Sequence, residues 1–203
     1  MKLLYTVNSP YARKVRIVAA EKHIEMELEE VVLGATDSVI MQYNPLAKVP
    51  VLVLYGEDSL YDSRVIVEYL DNRTPLAYLI PRDVSSRIKV RRWEALADGV
   101  CDAIVAIVME QRRPLEMQHE AFMTRQMNKV TLGLQVLNND LGKNRWCVND
   151  TFSLADVAVG CMLGYLNLRL SEVVKLSGDH ANLDRLNMVL SKRKSFIESM
   201  PVT

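Results

Sequence analysis

Asn44-Pro-Leu-Ala-Lys-Val-Pro50, then Val51-Leu-Val-Leu54 and, past a short turn, Leu60-Tyr-Asp-Ser-Arg-Val-Ile-Val-Glu-Tyr-Leu70 form the stretch on which the fold reading turns. Val51 to Leu54 is a continuous apolar run between Pro50 and Gly56-Glu-Asp58, which predicts a buried strand followed by a tight hairpin. Asp62-Ser63 stands just ahead of Ile66, Tyr69 and Leu70, whose spacing predicts a helix. A proline at the head of a strand is a position where a cis peptide bond occurs, which would turn the backbone of Val49 outward. Val49 would then present its N–H and C=O to a peptide-like ligand. Ser63, at a helix N-terminus, offers a hydroxyl, unpaired N–H groups and the positive end of the helix dipole, a combination suited to a carboxylate.

Working outward, Lys2 to Val7 reads as a central strand. Ser9 is a natural N-cap and Pro10 sits where its missing N–H costs nothing, so a helix runs from there to about Lys22. Ala12, Val15 and Ala19 share one face of it, with Arg13, Lys14 and Arg16 towards another. Glu27 to Leu33 alternates acidic and apolar residues and predicts a second, more exposed strand. Gly34 to Tyr43 predicts a loop with a helical turn near Val39. The order β-α-β, loop, β-β-α is a thioredoxin-like layout, a mixed sheet with helices on both faces.

Pro75 and Pro81 bracket a linker from Thr74 to Pro81, and no strand pattern follows Val84. Helices are predicted from Ser85 to about Glu116, ending or kinking near Pro114, from His119 to Leu141, after the Asp150–Asp156 segment, and from Ala181 to Phe196 with a basic end at Lys192-Arg-Lys194. Ser153-Leu-Ala-Asp156 has capping-box spacing, and the apolar helix it opens is core, so Ser153 and Asp156 are structural. The domains are expected at 1–76 and 84–203, α/β followed by all-α.

With 203 residues and 49% apolar composition the chain can bury a substantial core. Lys and Arg total 25 against 25 Asp and Glu, which gives no reason to expect a nucleic-acid or membrane partner. Cys101, Cys147 and Cys161 show neither a CxxC nor metal-ligand spacing, so no metal is expected, and an odd, sparse set fits reduced thiols in a cytoplasm. The opening residues are too short in apolar run for a signal peptide.

Asn44, Pro45, Lys48, Val49 and Pro50, followed by Asp62 and Ser63, resemble the glutathione transferase family, whose thioredoxin-like half carries an N-P-x-G-K-V-P segment and then an acidic-Ser pair opening a helix. Ala47 departs from the pattern, where the family has glycine. The resemblance covers essentially the whole chain and implies glutathione as co-substrate, a small electrophile as second substrate, a homodimer and a role in detoxification.

A free thiol with pKa about 8.5 is only about 3% thiolate near pH 7, and lowering that pKa by ~2 units corresponds to ~2.7 kcal/mol of preferential stabilisation. The resemblance puts Ser9 in this role. Ser9-Pro-Tyr-Ala12 falls where the thioredoxin-like fold carries Cys-Pro-Tyr-Cys, and serine-type members hydrogen-bond the thiolate rather than form a disulfide. Ser9 also reads as a plain N-cap, and one residue can do both. Tyr5 is the rival donor, though a strand tyrosine is usually packing. Asn8 and Tyr11 flank the site. Val49 would pair by backbone with the cysteinyl part of glutathione, and Ser63 and the helix N–H groups would take the γ-glutamyl carboxylate. Asp62 would face the amino group or cap the helix, and Lys48 would reach the glycyl carboxylate or stay solvated.

For the second substrate the candidates are Trp93, Ala97, Val100, Cys101, Ile104 and Val108, a stripe that is more often core or dimer contact than pocket, with Asp98 among them reading as facing the site or a partner subunit, or equally as a solvated or cap-pairing carboxylate. The readings that compete with a transferase are a non-enzymatic, partner-binding stress regulator of the same fold and a glutathione-dependent isomerase or peroxidase.

Overall fold

The computed structural model describes residues 1–34, 39–56, 58–76 and 78–202. The middle of the loop predicted from Gly34, Glu57 in the hairpin turn and Ala77 in the linker lie outside the described residues. The chain divides into two compact units, Met1–Ile80 with Arg193–Thr203, and Pro81–Lys192.

In the first unit a four-stranded sheet has the order β2-β1-β3-β4. Strand β1 (Lys2–Tyr5) is interior as expected, with Leu3 and Leu4 fully buried. It pairs in parallel with β2 (Glu27–Glu30) and antiparallel with β3 (Val51–Val53), which pairs antiparallel with β4 (Ser59–Leu60). Leu4, Val51 and Val53 on one face join Val31 and Ile40, the first residue of α2 (Ile40–Tyr43), in a core cluster. Helix α1 (Pro10–Glu21) packs on α3 (Ser63–Arg73), and α3 packs on β3. Gly56 takes φ +94 in the hairpin turn, a backbone conformation that favours glycine.

Strand β2 stops at Glu30, short of the expected Leu33. The Val31 N–H still bonds the Tyr5 carbonyl at 2.9 Å, but β1 ends there, leaving Val32 78% exposed. Arg13 and Lys14, expected on a face apart from the apolar one, are both buried. Lys22 is fully buried behind α1, where Nζ lies 3.3 Å from Asp71 Oδ1 and 5.0 Å from the centre of the Tyr78 ring. It donates to the Thr74 carbonyl at 3.0 Å and to the Leu76 carbonyl. Asp71 in turn accepts the Leu79 and Ile80 N–H groups at 2.9 and 3.1 Å, so one ion pair holds Thr74, Leu76, Leu79 and Ile80 after α3.

The second unit is helical: α4 (Val84–Gln111), α5 (Glu120–Leu141), α6 (Leu154–Leu170) and α7 (Ala181–Leu190). Helix α4 packs against α5 and α6. It ends at Gln111 rather than near Glu116, because Pro114 lacks an N–H and disfavours helical backbone at Arg113. The Gln118 side chain takes up the Gln111 and Arg113 carbonyls. At Gly133 of α5 an added Cβ would stand 2.4 Å from Val100 Cγ2 of α4, so the glycine permits that close approach. Helix α6 opens on the capping box: Asp156 Oδ2 accepts the Ser153 N–H at 2.9 Å while Oδ1 accepts the Cys147 N–H at 2.8 Å. Burial pushes the Asp156 carboxyl up, against these hydrogen bonds, and burial pushes the neighbouring Cys147 thiol well up. Among the described residues no helix is long and apolar enough to cross a membrane.

The helix expected from Ala181 to Phe196 is two. Helix α7 closes at Leu190, Arg193 adopts extended backbone (φ −77°, ψ 136°), and α8 (Lys194–Glu198) belongs to the first unit, where it packs on α1. The basic run Lys192-Arg-Lys194 therefore marks the break rather than a helix C-terminus. The cause is Glu21 at the end of α1, which accepts Arg193 Nη2 at 2.7 Å, Arg193 Nε at 3.0 Å and Ser195 Oγ at 2.5 Å.

Candidate functional site

Strand directions assemble the site. β1 runs antiparallel to β3 and β3 antiparallel to β4, with Leu4 opposite Val51 and Leu52 opposite Leu60. The C-terminal end of β1, the N-terminal end of β3 and the C-terminal end of β4 therefore lie at one end of the sheet, on neighbouring strands. Ser9 follows the first, Val49 precedes the second, and Asp62-Ser63 follows the third. Residues far apart in sequence are thereby brought to one end of three adjacent strands.

Ser9 caps α1 from an extended conformation (φ −73°, ψ 119°). Its N–H bonds the Thr6 carbonyl at 3.1 Å and its Oγ accepts the Ala12 N–H at 3.2 Å. That bond uses a lone pair, so the hydroxyl hydrogen is still available to donate, and the cap and donor roles are compatible. Tyr5 is half buried, with the Arg16 guanidinium carbon 5.1 Å from its ring centre, the packing role expected of a strand tyrosine. The Asn8 Oδ1 accepts the Val202 N–H at 3.0 Å.

The loop before β3 is organised by Asn44, only 3% exposed. Its Nδ2 donates to the Lys48 carbonyl at 2.9 Å, its Oδ1 accepts the Leu46 N–H at 3.0 Å, and its carbonyl accepts the Ala47 N–H at 2.9 Å. Ala47 has φ +50, so the position at which the sequence departs from glycine is one that favours glycine. The loop nonetheless delivers Val49, half buried and joined to Pro50 by a cis peptide bond, to the head of β3. Lys48 is exposed.

Asp62 is the N-cap of α3: its Oδ1 accepts the Arg64 N–H at 2.9 Å and its carbonyl accepts those of Val65 and Ile66, each at 3.1 Å. The Tyr61–Asp62 peptide bond is cis. Ser63 is the first helical residue and is 3% exposed, and the N–H groups that follow it in the first turn, those of Arg64, Val65 and Ile66, are taken up by Asp62.

The second-substrate candidates Trp93, Ala97, Val100, Cys101, Ile104 and Val108 are all buried, and Val100 is the side chain that faces Gly133. Asp98, at 5% exposure, is not a solvated carboxylate. The three cysteines form no disulfide and are buried. His119 caps α5, its Nδ1 accepting the Phe122 N–H at 3.1 Å. Sequence reasoning overlooked Asn44 as the organiser of its loop and the C-terminal segment beside Asn8. An asparagine ahead of a turn is a recognisable signal for the first. The second involves partners nearly the whole chain apart.

A thioredoxin-like unit of this topology, followed by a helical unit, with a capping serine after β1, a cis-proline before β3 and an acidic-Ser pair opening α3, defines the glutathione transferase class of fold. Family models agree: residues 3–77 match the glutathione S-transferase N-terminal domain and residues 120–188 its C-terminal domain. The chain belongs to the glutathione S-transferase family. It is 37% identical over 201 residues, 99% of this chain and 98% of that protein, to the uncharacterized GST-like protein YibF of Escherichia coli K12. Among solved structures, a glutathione S-transferase of Methylobacillus flagellatus, crystallised with glutathione bound, is 56% identical with TM-score 0.96 and 99% of each chain covered. Another, from Methylobacterium radiotolerans in complex with glutathione sulfonate, is 38% identical with TM-score 0.95, covering 100% of this chain and 95% of that one.

Proposed function

We propose that the protein is a serine-type glutathione transferase that binds glutathione in its N-terminal domain, 1–76, and directs its thiolate to a small electrophile. The observation that carries this reading is the convergence of Ser9, Val49 and Asp62-Ser63 on one end of β1, β3 and β4. The glutathione held by the relative at 56% identity supports it.

In this reading Val49 pairs through its backbone with the cysteinyl unit. Ser63, through its hydroxyl and its own N–H, holds the γ-glutamyl carboxylate, Asp62 meets the amino group, and Lys48 reaches the glycyl carboxylate. The Ser9 O–H donates to the sulfur at the N-terminus of α1, where the charge-assisted bond and the helix dipole both favour thiolate over thiol. The thiolate is then the nucleophile. Its electron pair forms the carbon–sulfur bond as the electrophile's leaving group departs with its bonding pair, with no covalent enzyme intermediate. The protein contributes pKa lowering and proximity. The reading carries with it a homodimeric enzyme of the cytoplasm.

Calorimetric titration with glutathione tests the binding half of the proposal. Wild type binds, and Ser63→Ala binds roughly tenfold more weakly or worse, the loss of one hydrogen bond to a charged group. No binding to wild type at millimolar glutathione would overturn the reading and favour the partner-binding alternative.

A further inference from the structure

The C-terminal segment is fastened to α1 at successive points, in opposite chain directions. Arg193 and Ser195 bond Glu21 in the last turn of the helix. Arg16 Nη2 donates to the Glu198 carbonyl at 2.9 Å. Arg13, 7% exposed, donates to the Phe196 carbonyl at 3.2 Å and to Ser199 Oγ at 3.4 Å, with its guanidinium 5.6 Å from the Phe196 ring centre. The last attachment passes the start of the helix: the Val202 N–H bonds Asn8 Oδ1 at 3.0 Å, one residue before Ser9. Two arginines of one helix thus serve carbonyls near the C-terminal end of α8, where cations are favoured, and hold the segment in place.

We propose that the segment Arg193–Val202 is a strap that sets the Asn8-Ser9 turn, with Asn8 and Val202 as positioning residues for the thiolate donor. This rests on the transferase reading of Ser9. The physical link is the Asn8 amide. Its two ends are opposite in polarity, and the end that carries the oxygen is held by the Val202 N–H, leaving the amide hydrogens as the end that can face an anion. Freed from the strap, the amide can rotate, and a carbonyl oxygen turned towards the thiolate disfavours the charged form.

The experiment is an ultraviolet pH titration of the thiolate of bound glutathione in Val202→Pro, which deletes the N–H, and in Val202→Ala, which keeps it. The expected result is a thiolate pKa raised by about half a unit or more in Val202→Pro and unchanged in Val202→Ala. Asn8→Ala should raise it too, and the double variant Asn8→Ala/Val202→Pro should show less than the sum of the two shifts, because both remove one bond. An unchanged pKa in Val202→Pro, with wild-type thiolate depressed as expected, overturns the strap and leaves the transferase reading standing. A wild-type thiolate with no depression overturns that reading itself.

Discussion

Replacing Lys22 by methionine should be among the most damaging single changes in the N-terminal unit, although Lys22 lies outside the candidate site. Its side chain is fully buried, and its ammonium is 3.3 Å from the carboxylate of Asp71, itself 2% exposed. Methionine fills nearly the same volume, so the cavity contribution is small. The loss is electrostatic. Asp71 would keep the Leu79 and Ile80 N–H bonds but lose its counter-charge, and the Thr74 and Leu76 carbonyls would lose their donor. Leaving one member of a buried ion pair uncompensated costs about 3–5 kcal/mol, against about 0–1 kcal/mol for an exposed pair. Set beside a typical total of about 5–15 kcal/mol, that is a large share. With a urea slope of about 2 kcal/mol per molar, the unfolding midpoint followed by circular dichroism should fall by roughly 1.5–2.5 M. Asp71→Asn should also destabilise, and Lys22→Met/Asp71→Asn should cost clearly less than the sum of the singles. A Lys22→Met loss below about 1 kcal/mol would refute the reasoning, because the pair would then be behaving as a solvated one.

Three further outcomes follow from other parts of the molecule. Burial opposes ionisation of Glu21, and the Arg193 and Ser195 hydrogen bonds outweigh it, so its carboxyl sits below the usual glutamate range. Between that lowered value and the ordinary one the unfolded chain holds the proton and the folded chain does not. The stabilisation is therefore full above the ordinary glutamate pKa and lost as pH falls through the folded value. The protection of the Lys194–Glu198 amides, taken relative to the intrinsic exchange rate at each pH, should fall on acidification in wild type, and in Glu21→Gln it should already be low at neutral pH. Gly133→Ala should lose about 1–3 kcal/mol despite alanine's better helix propensity, since its Cβ would meet Val100 Cγ2 at 2.4 Å, and Val100→Ala in the same chain should recover part of that loss in a thermal melt. Ala47→Gly should be neutral or stabilising by up to ~1 kcal/mol: the φ of +50 costs alanine about 1–2 kcal/mol, offset by glycine's greater entropy loss.

The parts of the fold that were legible in the sequence are those set by neighbouring residues. Ser9-Pro10 announces the start of α1, Asp62-Ser63 that of α3, and Ser153 with Asp156 that of α6, because caps act over three or four positions. The buried run at Val51 located β3, and Val49-Pro50 its approach. What escaped is held by partners distant in the chain. Nothing near Lys22 advertises Asp71, and nothing near Glu21 advertises Arg193. Helical periodicity carried the last helix through Ser191, whereas the pull of Glu21 breaks it there. Arg13 reads as a surface arginine until Phe196 and Ser199 cover it. In the candidate site the motif residues could be named from sequence, but their convergence needed the antiparallel register of β1, β3 and β4.

The most direct test of the account is the pKa of the glutathione thiol in the bound state, read by ultraviolet thiolate absorbance across a pH series, in wild type and in Ser9→Ala. The account predicts a bound thiol well below the free value of about 8.5 in wild type and a return most of the way towards it in Ser9→Ala, with glutathione still bound through Val49 and Ser63. A depressed pKa that persists in Ser9→Ala would contradict the assignment of Ser9 as the thiolate donor.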